Sequence, residues 1–233
     1  MGLEWIVVNH MATDPLSGPS NLPFELHLLE QPNRGFASGM NLAARHARAP
    51  ILLCLNPDVL ISGPAIEQAV DYLHNHPDVA ILGPRVLYPD GSRQQTARRF
   101  YTWPAVLWAR LPLRDRLPTP RFWRRYLMLD AALDKPSPVD WLMGCVLFLR
   151  PGLLEPLPAG AIFDDRFFLY FEDVDLCLRA WQHGGKVVYH PGPVCIHEHQ
   201  RASHRLLSPA ARHHAVSLLR FVRKHRGLGR RPV

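Results

Sequence analysis

Residues 5–8 are a short apolar, β-rich run, and hydrophobic and polar residues alternate over 25–30, which predicts two short strands. Residues 36–48 instead set Met40, Ala43, Ala44 and Ala47 on one face at helical spacing. The run 51–55 is apolar throughout and of strand length, which predicts a buried parallel strand. A second helix is expected over 65–76, closed by Pro77, and a further strand over 79–82. This β-α-β-α-β rhythm predicts an α/β sandwich with a mainly parallel central sheet.

From Ser92 to Lys135 the pattern loses its period and becomes rich in Arg, Trp and Pro, predicting short helices and loops rather than core. Strand character returns over 139–149. Residues 171–183 place Val174, Cys177, Leu178 and Trp181 on one helical face, with Gly184-Gly185 as the stop. On that helix Asp175 and Arg179 stand four apart and can pair. Two short strands follow, 186–189 and 194–197, and Ser208 is expected to cap a basic amphipathic helix ending near Lys224. The expected organisation is one domain over residues 1–207, carrying a basic aromatic insertion at 92–136, and a basic helix and tail over 208–233.

Composition narrows the class. A hydrophobic share of 47% excludes general disorder, and 23 prolines argue against long uninterrupted helices. The balance 27 − 20 = +7 suits an anionic partner such as a nucleotide phosphate, a lipid diphosphate, an acidic membrane or nucleic acid. No module for reading nucleic acid accompanies that charge, so no nucleic-acid partner is expected. Four widely spaced cysteines without a C-x-x-C pair fit a reducing compartment. No apolar run is long enough to span a bilayer, so a protein not integral to the membrane is expected, free in the cytoplasm or peripheral on the inner face of the membrane.

The densest chemistry lies in residues 163–179, where Asp164, Asp165, Glu172, Asp173 and Asp175 stand among Phe167, Phe168, Tyr170 and Phe171. Carboxylates in apolar company must be paired, bind a cation or do proton chemistry. The turn Asn56-Pro57-Asp58 follows a buried strand, at the carboxyl end where ligands collect in open α/β sheets. An ordinary turn would use the same residue types. In Ile196-His197-Glu198-His199, a single imidazole from His197 could join Asp58 on one metal ion.

Four ordered segments carry a family resemblance: Asn33-Arg34-Gly35-Phe36-Ala37-Ser38-Gly39-Met40-Asn41; Leu55-Asn56-Pro57-Asp58; Gly83-Pro84-Arg85 with Tyr88-Pro89-Asp90-Gly91-Ser92; and Phe167 through Arg179. The chain resembles the family 2 glycosyltransferases, especially their rhamnosyltransferase-like branch. That resemblance implies a GT-A fold, a three-layer α/β sandwich, transferring sugar from a nucleotide diphosphate with inversion. It implies Asp58 as the metal-binding carboxylate and His197 as a second ligand to Mg²⁺ or Mn²⁺. Asp173 matches the general base, with Glu172 beside it. Asn9, Asn33, Gly35, Gly39, Asn41, Asn56 and Asp58 match donor-binding positions; Trp141, Met143 and Gly144 match the donor–acceptor junction.

Donors implied are dTDP-rhamnose or a UDP-sugar; acceptors are a lipid-linked or polysaccharide saccharide. The Arg and Trp residues of 98–126 suit an anionic membrane surface or a solvated loop region. One departure stands out. Ile6-Val7-Val8-Asn9-His10 occupies the place of the family's second strand, and the usual continuation is reduced to Ala12-Thr13-Asp14-Pro15. A start upstream, weak donor binding and a degraded binding module are the readings this leaves.

Overall fold

A computed structural model describes residues 2–11, 21–111, 114–198 and 209–232. Strands β1 (Glu4–Asn9) and β2 (Glu25–Glu30) precede helix α1 (Phe36–His46), and then come β3 (Leu52–Leu55) and β4 (Val59–Ile61). Helix α2 (Gly63–Asn75) starts where Ser62 Oγ accepts from the Ala65 amide at 3.4 Å, with Pro64 in its first turn. Strand β5 (Val79–Leu87) leads to the short β6 (Ala97–Arg98). Helices α3 (Trp103–Arg110) and α4 (Arg121–Tyr126) follow. The second half supplies β7 (Ser137–Pro138), β8 (Trp141–Leu142), β9 (Val146–Leu149), α5 (Glu172–Gln182), β10 (Lys186–His197) and α6 (Pro209–His225). The Ser208 cap and the Ala12–Pro15 stretch lie outside the described residues.

Among the described residues a six-stranded sheet has the order β3-β9-β5-β10-β4, with β7 on β10. β5 and β10 are parallel, and β9 pairs antiparallel with both β3 and β5. Strands β3, β5 and β10 therefore point the same way, with β9 reversed between the first two. The α/β class holds, and the sheet is mixed.

Strand β3 differs from its expectation. Its immediate neighbour is antiparallel, and Leu52, Leu53 and Leu55 are half-buried. The physical reason is its position: among the described residues it has a ladder on one edge only, while β1 and β2 pair in parallel with each other in a separate two-stranded sheet. That separation lies where the sequence departs from the family pattern.

Two further expectations change. The 92–136 segment does enter the core, because β6 pairs with β8 and Ala97, Phe100, Ala105, Tyr126, Met128 and Leu133 are buried in the main cluster. Residues 186–197 form one strand rather than two. Its register shifts between His190 and Val194, where Pro191 and Pro193 cannot donate to the ladder. The principal core joins β9, α5 and β10 to Phe163, Phe167, Phe171 and, from α6, Phe221. All four cysteines are free and buried.

Candidate active site

Asp58 is placed by a turn and a strand pairing. The Val59 amide donates to the Asn56 carbonyl at 3.2 Å, and β4 then runs antiparallel to the end of β10, setting Val59 opposite His197. Oδ1 of Asp58 consequently lies 3.3 Å from Nε2 of His197. His197 is buried at 2% exposure, whereas the Asp58 side chain is 39% exposed, so the pair opens to solvent on the aspartate side. The buried amide of Gln94 holds the other face of the imidazole: Oε1 is 3.0 Å from Nδ1, and Nε2 donates to the His197 carbonyl at 2.8 Å.

The second acid sits at the start of α5. Tyr170 and Phe171, both non-glycine, enter the helix with φ of 68° and 69°, a strained left-handed pair of the kind found at functional sites. Asp173 follows, its Oδ2 accepting from the Gly144 amide at 3.0 Å and its Oδ1 from the Val174 amide at 2.8 Å. Burial pushes its pKa up, to about 6, against the pull of those amides and of the Arg98 charge. Glu172 is pushed higher still, by burial and then by Asp173, and its Oε2 has no hydrogen-bond partner. Two amides and the Arg98 charge thus favour the ionised form on Asp173, whereas Glu172 has no such support at Oε2.

The two acids hang from one strip of backbone. Gly144 donates to Asp173, and the carbonyl of the next residue, Cys145, accepts from the Asn56 amide at 2.9 Å. Arg98 lies over the Tyr126 ring at 5.8 Å, with Nη2 3.8 Å from Met143 Sδ. Tyr101 stacks on Phe171 at 5.1 Å and on Trp141 at 5.8 Å, forming an aromatic wall beside the acid. This arrangement can hold a cation at one side and accept a proton at the other.

Other expected site residues serve the scaffold. Trp141 is buried, its Nε1 donating to the Arg99 carbonyl at 2.8 Å, and its ring stacks on Tyr101 in the wall. Asn41 is also buried; its amide spends three hydrogen bonds on the backbone of Ile162 and Phe163, which leaves little capacity for a donor. Asn9 exchanges two hydrogen bonds with Met11, and Asn33 Oδ1 accepts from the Gly35 amide at 3.0 Å. Gly35 has φ of 94°, and a Cβ there would lie 2.3 Å from the Phe168 carbonyl oxygen. It thus lets α1 abut the segment leading into α5. A Cβ on Gly39 would meet His10 Nε2 at 2.7 Å, so that glycine permits the close approach of His10 to α1.

The five clustered carboxylates separate into groups. Asp175 Oδ2 meets Arg179 Nε at 2.8 Å, while its Oδ1 meets Lys224 Nζ at 2.6 Å and His225 Nε2 at 2.7 Å. Asp164 joins the same Lys224 at 2.6 Å and Arg166 at 2.5 Å. Burial opposes ionisation of both acids, but these cations outweigh it and hold both pKa values below the ordinary range. Asp165 is exposed. Only Glu172 and Asp173 remain for chemistry at the site. Gln94, Tyr101 and Tyr126 carry no motif signal in the sequence, and Arg98 stands out there only as one of the basic residues of 98–126, because their partners are distant in the chain.

Among the described residues no group of three or more His, Cys, Asp or Glu converges as a metal site. The donor set of Asp58 and His197 nevertheless fits a hard divalent cation that takes its remaining ligands from waters and substrate phosphates. On α3, Trp103 (56% exposed) and Leu107 (70%) share a face, Leu111 just beyond the helix is exposed, and the exposed Phe122 of α4 makes an edge contact with Trp108 at 5.9 Å. Arg116, Arg121 and Arg125 are exposed nearby in the chain. Among the described residues no helix is long and apolar enough to cross a membrane.

Residues 20–214 match the family model described as "Glycosyltransferase like family 2". The chain belongs to that family. This family 2 glycosyltransferase is 29% identical over 191 residues to the N-acetylglucosaminyl-diphospho-decaprenol L-rhamnosyltransferase of Mycobacterium tuberculosis, covering 78% of this chain and 58% of the relative. It is 32% identical over 93 residues to the rhamnosyltransferase WbbL of Escherichia coli, covering 40% and 34%. The chain thus spans little more than half the length of the first relative. Its fold resembles GalNAc-T7, solved with UDP, GalNAc and Mn²⁺, at a TM-score of 0.57 and 13% identity over 93% of this chain and 41% of that one. The mannosyltransferase PcManGT of Pyrobaculum calidifontis, solved with GDP-Man and Mn²⁺, matches at 0.51 and 18% identity, covering 90% and 49%. Together these likenesses establish a GT-A glycosyltransferase fold.

Proposed function

We propose that this chain transfers a sugar from a nucleotide diphosphate to a polyprenyl-diphosphate-linked saccharide, with inversion at the anomeric carbon. The observation that carries the reading is the attachment of both acids to one strip, Asp173 through Gly144 and the Asp58 turn through Cys145. Asp173, the ionised member of its pair, takes the proton of the acceptor hydroxyl as that oxygen bonds to the anomeric carbon. The bond from that carbon to the donor phosphate breaks, and the nucleoside diphosphate leaves with the electron pair. A divalent cation held by Asp58 and His197 would neutralise the departing diphosphate. The two GT-A structures carrying Mn²⁺ support this cation. Burial and the neighbouring Asp173 disfavour a second negative charge on Glu172.

The names of the bacterial relatives support rhamnose as the sugar and a lipid diphosphate as the acceptor anchor. We take dTDP-rhamnose as donor and N-acetylglucosaminyl-diphospho-polyprenol as acceptor, met at the cytoplasmic membrane surface through the α3–α4 face. The separation of β1 and β2 from the main sheet favours a second reading, a binding module that no longer turns over. Incubation with Mg²⁺ or Mn²⁺, the acceptor and a panel of dTDP-, UDP- and GDP-sugars decides between them. Transfer from dTDP-rhamnose supports the enzyme; transfer from another donor revises the sugar. Absence of transfer with every donor supports the binding module.

A further inference from the structure

We infer that Gln94 is a positioning residue that fixes the tautomer of His197. The inference rests on the proposed reading of Asp58 and His197 as cation ligands, and it concerns how this chain readies one of them. The turn at Tyr88–Ser92 is closed by the Tyr88 amide on the Ser92 carbonyl at 2.8 Å and by Asp90 Oδ1 accepting from the Ser92 amide at 2.8 Å. It folds the chain back on β5, where the Gln94 amide donates to the Val86 carbonyl at 2.9 Å. Val86 stands opposite Cys195 in the β5–β10 ladder, so the buried Gln94 side chain arrives beside the end of β10.

There the hydrogen bonds admit one orientation. The His197 carbonyl can only accept, so the Gln94 amide nitrogen must face it, at 2.8 Å. That leaves Oε1, also only an acceptor, 3.0 Å from Nδ1 of the imidazole. Nδ1 must therefore carry the hydrogen. The lone pair of a neutral His197 is consequently on Nε2, the atom 3.3 Å from Asp58 Oδ1. Two acceptors are thereby turned toward one another, an arrangement that suits a shared cation. A histidine ligand whose other nitrogen is held this way is fixed in both tautomer and ring angle.

Long-range proton–nitrogen correlation spectra of histidine-labelled protein test this at about pH 8, above the ordinary imidazole pKa. With His197→Asn used to assign the resonance, the expected result is a hydrogen on Nδ1 in the metal-free wild type. A hydrogen on Nε2 overturns the inference whatever the metal does. Calorimetric titration with Mn²⁺ in the presence of a nucleoside diphosphate provides the second readout. Gln94→Leu should weaken Mn²⁺ about 10- to 100-fold. Gln94→Glu still accepts from the Nδ1–H but sets its second oxygen against the His197 carbonyl, so Mn²⁺ should weaken less than in the leucine variant. Unchanged affinity in a folded Gln94→Leu, or a loss in folded Gln94→Glu as large as in folded Gln94→Leu, overturns the role. A correct tautomer in a wild type that binds no Mn²⁺ removes the cation reading and the purpose assigned to Gln94 with it.

Discussion

The Gly144 amide donates to Oδ2 of Asp173 at 3.0 Å, although the two residues are 29 positions apart. The contact ties the first turn of α5 to the loop between β8 and β9, and so fixes the acid against the same strip that carries the Asp58 turn. It also favours the carboxylate form, which burial disfavours.

A pH dependence follows from that balance. Asp173 serves as base only when ionised, and its pKa is raised to about 6 with burial as the leading cause. Turnover should rise with pH and level off above that value, well above the ordinary range for aspartate. A rate profile measured at saturating donor checks this, and an acid limb near an ordinary aspartate value contradicts it. Introducing Arg98→Met should move the limb upward, since the Arg98 charge lowers the pKa.

Asp175 is expected to matter for stability rather than chemistry. Its carboxylate neutralises Arg179, which is 1% exposed, together with Lys224 of α6. Asp175→Asn leaves the buried Arg179 without its carboxylate, while Lys224 keeps Asp164, and should cost about 3–5 kcal/mol in urea unfolding. The pH sign is fixed by the lowered folded pKa of Asp175 and Asp164. Their contribution is present above the ordinary aspartate value and is lost as pH falls through the folded one. Acid should thus loosen the packing of α6 on α5 in the wild type, with a shallower dependence in the variant.

Gly35→Ala meets both a left-handed φ and backbone atoms of Phe168. Because those atoms belong to the segment that enters α5, relief of the clash must shift Tyr170 and Phe171. A loss of about 1–3 kcal/mol is expected, with turnover falling further than stability alone explains. Chemical denaturation and turnover on the same preparation separate the two effects.

Much of this architecture is legible in the sequence, and the failures share a cause. Helical spacing located α1, α2 and α5, and the apolar run located β3. What the run could not reveal was that β3, among the described residues, has a ladder on one edge only, because burial on a strand depends on neighbours that the local pattern does not encode. Asp58, His197 and Asp173 stand out as acids and imidazole in apolar or turn settings. Asn41 and Trp141 match a motif just as well, yet their polar atoms are consumed by distant backbone. Gln94 was invisible for the converse reason: a lone glutamine has no pattern, and its partner is 103 residues away.

The α3–α4 face yields a surface prediction. Arg beside exposed Trp and Leu matches a bilayer with anionic headgroups, each basic residue near such a surface contributing about 1 kcal/mol. Sedimentation should show binding to anionic vesicles, weakened by salt, and little to zwitterionic ones. Leu107→Asp should abolish it while transfer to a soluble acceptor analogue persists. Equal binding to both vesicle types rules out the electrostatic part of this account.

Separate measurement of donor affinity and turnover in Asp58→Asn and Asp173→Asn tests the central claim most directly. Asp58→Asn should weaken Mn²⁺-dependent donor binding. Asp173→Asn should bind donor as the wild type does, yet turn over about 10²–10⁴-fold more slowly. Wild-type turnover in folded Asp173→Asn would contradict the division of labour between the two acids.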